Sequence, residues 1–418
     1  MPTLFDASEC LVYFPERMST RRSLWLMQNI LDVDSVKDNS ATVALEDFDC
    51  LRKCEPFFSA FPSVFLAIAD GEYVNRLAEW FAESLPSIQV LTPRAGAFGA
   101  KQSVREVLEA GGEMAVSRLI MGAVEQNAFG LLDLADVEKV DPLSVPAVMT
   151  GIKALDSAMG GFSAGELSIW TGKRGSGKST ILGQMLLDGI DQGFPVCAYS
   201  GELPAWRFKQ WVALQAAGPG NIVSKRDDAS GKLFFWVPND TMAQIDAWWK
   251  GKFFLYDNKL AAASDEDSIL SVFEYAVRRY GCSMFLMDNL MTARFSTSSD
   301  RDFYRAQSNF TGRLVEFAKK NEVHVHLVAH PRKADGKLAA DDVSGSGDVT
   351  NRADNVFSLE RLEDDMAAEK GYDAVLRVLK NRSYGSTGSF GLQFDPRCRR
   401  YKKPEEPARA YGWETENG

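Results

Sequence analysis

Gly172-Lys173-Arg174-Gly175-Ser176-Gly177-Lys178-Ser179, with Thr180 behind it, is the stretch whose reading decides the fold. Its spacing is GxxxxGK[ST]. The glycines let backbone N–H groups turn inward on phosphate oxygens, Lys178 sets a point charge on the terminal phosphates, and Ser179 offers a hydroxyl to Mg2+. The apolar run Leu167 to Thr171 predicts a strand before the loop. Ser179 to Ile190 predicts a helix after it, with its N-terminus facing the anion. A chance glycine-rich turn would lack both flanks. Further along, Val196 to Tyr199, Met284 to Met287 and His324 to Ala329 are short apolar runs between helix-length segments. Strands alternating with helices predict an α/β fold with a mostly parallel sheet and helices on both faces.

Two carboxylates stand where phosphate chemistry needs them. Asp288 ends the run Met284-Phe285-Leu286-Met287, the form of a metal-supporting acid at a strand terminus, although a buried strand can also end in Asp at a turn. Glu202, in Ser200-Gly201-Glu202-Leu203-Pro204, follows the strand ending at Tyr199. There it would polarise an attacking water, unless it is an ordinary solvated loop residue. His324 and His326 alternate on one strand, but no cysteine or carboxylate pattern completes a metal site, so strand packing is the reading for both.

The chain has 418 residues, 45% hydrophobic and 25% charged, which allows two or three domains, each with a core. The formal charge is −10, a global balance that argues against coating nucleic acid by bulk positive charge. Divided by region, residues 1–150 hold 12 Lys+Arg against 22 Asp+Glu, leaving 35 against 35 for residues 151–418. The acidic excess belongs to the first third. No apolar run reaches the roughly 20 residues of a membrane span, and the N-terminus MPTLFDASEC has no secretory pattern. The six cysteines lack paired CxxC spacing, which favours reduced thiols in a cytoplasm-like compartment. Asp141-Pro142-Leu143-Ser144-Val145-Pro146 reads as a linker, with Val124 to Lys139 before it as a connecting helix. Lys402 to Gly418 is polar and reads as a flexible tail.

Taken in order, Gly151-Ile152-Lys153-Ala154-Leu155-Asp156, Gly160-Gly161-Phe162, Gly165-Glu166-Leu167, the phosphate loop, Ser200-Gly201-Glu202 and Asp288 resemble the RecA-like core of hexameric replicative DNA helicases, and among these the Twinkle and phage primase-helicase branch. Val328-Ala329-His330-Pro331-Arg332-Lys333 is similar to that branch's motif in which the His senses the γ-phosphate. Ser344-Gly345-Ser346-Gly347 and Ala353-Asp354-Asn355-Val356 resemble its DNA-facing loop and the motif after it. Leu379-Lys380-Asn381-Arg382 with Thr387-Gly388 resembles the segment that supplies a lysine and an arginine finger to the neighbouring subunit's ATP, although Arg382 also fits an ordinary surface cation. The resemblance spans 151–401 and implies an ATP- and Mg2+-dependent enzyme whose active sites lie between subunits of a homo-oligomeric, hexameric ring. Single-stranded DNA is its implied partner, with a polymerase or primase as a further one.

Residues 293–337 carry nine Lys+Arg and five acids, and residues 374–403 carry eight Lys+Arg with Asp395 alone opposing them. Arg294, Arg301, Arg305, Arg332, Lys333 and Lys337 are the candidate DNA contacts, holding one strand by its phosphates; solvated surface loops are the alternative.

In the first unit, 1–123, Glu46-Asp47-Phe48-Asp49 follows one strand (Ala41 to Leu45) and Asp70-Gly71-Glu72 follows the next (Val64 to Ala69). Glu46, Asp70 and Glu72 would meet on Mg2+ at the carboxyl edge of a parallel sheet. This pattern resembles a Toprim domain, with Lys101 to Leu108 similar to a later motif. Asp47, Glu72 and Asn75 depart from the family pattern, and no zinc-ligand cysteines precede it, so the reading is a structural unit, not an active primase. Two other functions stay open: a RecA-like recombination or branch-migration ATPase, and a regulatory or loader subunit that binds ATP without unwinding.

Overall fold

The computed structural model describes residues 3–7, 10–14, 23–36, 39–42, 48–131, 133–137, 139–141, 144–257, 265–293, 295, 300–330, 347–407 and 409–415. The chain divides into two compact units, Met1–Lys139 and Val140–Gly418.

The first unit runs β1 (Thr3–Ala7), β2 (Cys10–Phe14), β3 (Leu24–Met27), α1 (Ile30–Val33), β4 (Ser40–Thr42), α2 (Phe48–Lys53), α3 (Glu55–Phe58), β5 (Ser63–Ala67), α4 (Gly71–Ser84), β6 (Gln89–Thr92), α5 (Val104–Met121) and β7 (Val124–Glu125). Its sheet has the order β1-β2-β4-β3-β5-β6-β7. The central β4, β3, β5 and β6 are parallel, and β1, β2 and β7 add antiparallel edges. In α4 the spacing of Val74, Leu77, Ala78 and Phe81 buries one face, and the Asp70 carboxylate caps the first turn. The connecting helix expected over 124–139 does not form: the segment holds β7 and a 3-10 turn at Leu134–Asp136. Phe129 and Gly130, both at positive φ, interrupt any helix there. Cys50 is disulfide-bonded, against the expectation of six thiols. A single bridge needs no CxxC spacing, so the lack of that motif did not exclude one. Cys54, Cys197, Cys282 and Cys398 are buried thiols.

The second unit begins with β8 (Ala147–Val148), α6 (Lys153–Met159), β9 (Phe162–Ser163), β10 (Leu167–Thr171), α7 (Lys178–Asp191), β11 (Val196–Ser200), α8 (Ala205–Ala217), β12 (Val223–Arg226), β13 (Leu233–Trp236) and α9 (Asn239–Trp249). It continues with β14 (Phe253–Tyr256), α10 (Glu266–Tyr280), β15 (Met284–Asp288), α11 (Asp300–Asn321), β16 (His324–Val328), α12 (Gly347–Arg352) and β17 (Asn355–Arg361). The last elements are α13 (Asp364–Lys370), β18 (Ala374–Asn381), β19 (Gly388–Asp395), β20 (Arg400–Lys402) and α14 (Gly412–Thr415). Nine strands form one sheet, β14-β11-β15-β16-β10-β17-β18-β19-β20. It is parallel from β14 to β17 and antiparallel from β17 to β20.

Alternate residues of each central strand enter separate cores. Met284 and Leu286 of β15 pack with Ile181, Met185 and Phe208 from α7 and α8. Phe285 and Met287 pack with Phe273 and Phe317 from α10 and α11. Both faces are therefore covered, which is why these strands are apolar throughout. The phosphate-loop helix α7 is buried along nearly its whole length. The tail expected to be loose packs instead: Tyr411 and Trp413 are buried, and Arg409 pairs with Asp188 of α7 at 2.9 Å. Two aromatic rings and one cation suffice to hold a segment whose average composition is polar. Among the described residues no helix is long and apolar enough to cross a membrane.

Candidate active site

The edge of the sheet where β10, β11, β15 and β16 end collects the site. The loop 172–177 leaves β10 and turns into α7, with Gly172 at φ +144° and Gly177 at φ +97°. A Cβ at Gly172 would strike the Leu359 carbonyl, and one at Gly177 the Tyr401 hydroxyl, so both positions require glycine for space as well as for conformation. The Tyr401 hydroxyl donates to Ser176 O, pressing β20 against the loop.

Lys178 is 6% exposed, and its Nζ donates to Gly172 O at 2.8 Å and Lys173 O at 3.0 Å. Burial lowers its affinity for the proton, while the charges of Asp288 and Glu202 act the other way. Asp288 closes β15 and is pushed up to about 6, chiefly by burial and also by the Glu202 charge; a hydrogen bond from Ser179 and the Lys178 charge oppose the rise. The Ser179 hydroxyl and Asp288 carboxylate thus form a pair of hard oxygen donors. A divalent cation of the Mg2+ type fits there, because it relieves the desolvated carboxylate.

Glu202, carried past the end of β11, accepts from Asn289 Nδ2 at 2.5 Å. The same Asn289 nitrogen lies 3.2 Å from His330 Nε2, and His330 Nε2 is 3.7 Å from Glu202 Oε1. Burial, followed by the Lys178 charge, lowers the His330 pKa. Burial thus favours the neutral imidazole, the Glu202 charge acts the other way, and Asn289 Nδ2 lies between the two side chains. Its Nδ1 is buried without a partner among the described residues. A cleft of about 550 Å³ lies over these groups, lined also by Arg174, Thr180, Trp211 and Arg399.

Lys380 and Arg382 sit elsewhere. Lys380 Nζ donates to the carbonyls of Thr350, Asn351 and Ala353 at 3.0, 3.1 and 2.7 Å, and Arg382 Nη1 pairs with Asp354 at 2.7 Å. Neither lines the cleft. His324 bonds Ser168 Oγ and Ser163 O, and His326 accepts from Trp170 Nε1, so both rings serve strand packing. Of the expected DNA contacts, Arg305 is exposed on α11; Arg294, Arg332, Lys333 and Lys337 lie outside the described residues, as does the side chain of Arg301. In the first unit Glu46 is also outside the described residues. Asp70 Oδ1 is bonded to the Glu72 and Tyr73 amides as a helix cap, and Glu72 is exposed. Lys101 borders a cavity of about 520 Å³ beyond β5 and β6. Sequence reasoning missed Asn289, which could have been noticed as the neighbour of Asp288, and missed Trp211 and Arg399, which no motif marks.

The chain is 22% identical over 290 residues to the replicative DNA helicase DnaB of Helicobacter pylori, covering 63% of this chain and 57% of that protein. It is 24% identical over 355 residues to a DNA helicase/primase of Enterobacteria phage T3, covering 80% of this chain and 60% of that protein. It therefore spans less than two thirds of the length of either relative. Its fold is similar to a solved ATPase domain, with a TM-score of 0.51 at 17% identity over 62% of this chain and 92% of that one. A DnaB-like replicative helicase, solved in a study of its interactions with primase, gives a TM-score of 0.52 at 16% identity over 72% and 74%. Residues 147–403, with the phosphate loop, Glu202, Asp288 and His330 inside them, match the DnaB-like helicase C-terminal domain, and the chain belongs to that family.

Proposed function

We propose that the second unit is a nucleoside-triphosphate-driven motor that assembles as a ring, with six subunits as the leading expectation, and translocates on single-stranded DNA during replication. The observation that carries this reading is the convergence of Lys178, Ser179, Asp288, Glu202 and His330 on one cleft. On binding the triphosphate, the Lys178 ammonium exchanges its two carbonyl acceptors for phosphate oxygens, and the amides of 173–179 turn to the same charge. Ser179 and Asp288 would hold Mg2+, which would offset the negative charge of the phosphates. Glu202, half exposed and fixed by Asn289, is the group available to orient the attacking water. Neutral His330 can accept or donate at the transferred phosphate without adding charge.

The cleft lacks Lys380 and Arg382, and both bond backbone carbonyls or Asp354 of their own chain. Their place at the end of β18 supports a role in completing a neighbour's site, so that turnover depends on assembly. The loop residues Arg294, Arg301, Arg332, Lys333 and Lys337 with Arg305 remain the proposed DNA contacts, and a polymerase or primase the proposed further partner. For the first unit we propose a Toprim-like structural role: Asp70 serves as a helix cap, which leaves less of its carboxylate for Mg2+ with Glu46 and Glu72.

The test is NTP hydrolysis with and without single-stranded DNA, strand displacement on a forked duplex, and electron microscopy with an ATP analogue and DNA. DNA-stimulated turnover and rings with central DNA are expected. Turnover that ignores DNA and protein concentration would remove the ring motor. ATP-dependent assembly without hydrolysis would leave the loader reading in its place.

A further inference from the structure

Arg399, in the turn between β19 and β20, stands apart from its basic neighbours. Arg377, Arg382, Arg397 and Arg409 each pair with a carboxylate, to Glu360, Asp354, Asp395 and Asp188 respectively, and Arg400 donates to the backbone carbonyls of Gln215, Ala216 and Arg409. Among the described residues Arg399 has no carboxylate partner, and its Nε is buried without an acceptor. Burial lowers its pKa, the direction expected for a guanidinium partly withdrawn from water with no carboxylate facing it. Its backbone adopts φ +54°, a conformation a non-glycine residue rarely holds without tertiary support. That support is visible. The guanidinium lies over the Trp211 ring of α8, 3.7 Å from its centre, and Nη2 is 3.4 Å from Thr180 Oγ1.

Thr180 follows the Lys178-Ser179 pair in the first turn of α7, and Arg399, Trp211 and Thr180 line the same cleft as the phosphate loop. A ligand whose terminal phosphates meet Lys178 carries its inner phosphate and sugar away from that lysine, and of the two arginines lining the cleft, Arg174 and Arg399, the second is the one bonded to Thr180. We propose that Arg399, held flat on Trp211, is a nucleotide ligand of its own subunit, donating to the phosphate nearest the nucleoside while the loop 172–179 holds the outer ones. The inference rests on the nucleotide-binding reading of the loop and adds the residue pair that receives the nucleoside end. A bound anion gives the half-buried guanidinium the counter-charge that no carboxylate among the described residues supplies, and the planar stack on Trp211 fixes its fork of donors in advance.

The experiment measures binding of ADP and of a non-hydrolysable ATP analogue by titration calorimetry on the full chain. The proteins are the unsubstituted one, Arg399→Ala, Arg399→Lys and Trp211→Ala, with the melting temperature of each ligand-free protein recorded. Loss of one charge-assisted contact should weaken both ligands by the same factor, about 10-fold or more for Arg399→Ala. Equal losses are expected because the inner phosphates are common to both. Arg399→Lys should recover part of the affinity, since the charge returns without the stacked fork, and Trp211→Ala should lose a smaller factor. In steady state KM should rise with kcat little changed. A lower melting temperature for Arg399→Ala with both affinities within about twofold of the unsubstituted protein would overturn the proposal, because the guanidinium would then only pin the turn to α8. Failure of the unsubstituted protein to bind either nucleotide would strike the loop reading itself, and is seen without any variant.

Discussion

At the carboxyl edge of the second unit's sheet, Lys178 is 6% and Asp288 2% exposed, and burial shifts both titrations. At the carboxyl edge of β5 in the first unit, Asp70 and Glu72 lie exposed, and Asp70 is occupied in capping α4. Both units place acids after parallel strands. Only the second takes them out of water beside a lysine, a hydroxyl and an imidazole. Desolvation gives a carboxylate or ammonium a reason to bind a charged ligand, because the ligand relieves a cost already present in the folded chain. An exposed carboxylate with two amide donors is already satisfied. Position after a strand therefore marks where a site can form, and burial decides whether it is charged for chemistry.

The largest effect should come from the second unit's site. Lys178→Ala should lower NTP turnover by at least about 10³-fold, since it removes the one cation embedded among the loop carbonyls. Glu202→Gln should cut turnover by about 10²- to 10⁴-fold and leave nucleotide binding near that of the unsubstituted protein, read by single-turnover hydrolysis against equilibrium binding. Equal loss in binding and turnover for Glu202→Gln would make this residue part of the phosphate cradle and not the water-orienting group.

The place of these two residues in the cleft was legible in the sequence because it follows from local spacing: a loop of fixed length, and an acid within three residues of a strand end. The same holds for the parallel sheet, whose strands are apolar on both faces and so announce burial. Trp211 and Arg399 were not legible, since they reach the cleft through the packing of α8 and the β19–β20 turn, whereas Asn289 was marked in the sequence only as the neighbour of Asp288. The connecting helix over 124–139 failed for a local reason, the positive φ at Phe129 and Gly130. The tail was misjudged because average polarity concealed Tyr411 and Trp413, each of which fills a buried place.

A second buried charge extends the contrast. Asp188 on α7 is 1% exposed and is pushed up to about 7 by burial, with the Arg409 charge and the Tyr411 hydroxyl holding it down. Arg409→Ala should destabilise the second unit by about 3 kcal/mol, measured by denaturant unfolding. The loss should be greater at pH 8 than at pH 6, because below neutrality the orphaned carboxyl escapes by taking a proton. A pH-independent loss would mean that Asp188 is neutral even in the unsubstituted protein.

His324 gives a smaller effect with a fixed sign. Burial lowers its pKa from 6.5 to about 4, so between those values the unfolded chain binds more protons than the folded one. Stability contributed by the neutral ring is present above pH 6.5 and is lost as pH falls toward 4. His324→Gln removes the titration, and the unsubstituted protein should lose about 2 kcal/mol relative to the variant across that window. Parallel pH curves for the two proteins would show that the ring is protonated or solvated in the folded chain.

The smallest effect tests the first unit. Asp70→Ala removes the cap that accepts from the Glu72 and Tyr73 amides, and should cost about 1 kcal/mol in that unit's stability. Asp70→Asn and Asp70→Ser keep a side-chain acceptor and should restore most of it. If the carboxylate serves only as a cap, DNA-stimulated turnover is unchanged in all three variants, and added Mg2+ does not alter the melting of the first unit in either the variants or the unsubstituted protein. A Mg2+-dependent rise in melting that Asp70→Asn abolishes would give that edge a metal despite its exposure. Burial would then fail as the criterion separating the two sheets, and net negative charge in the first unit would take its place.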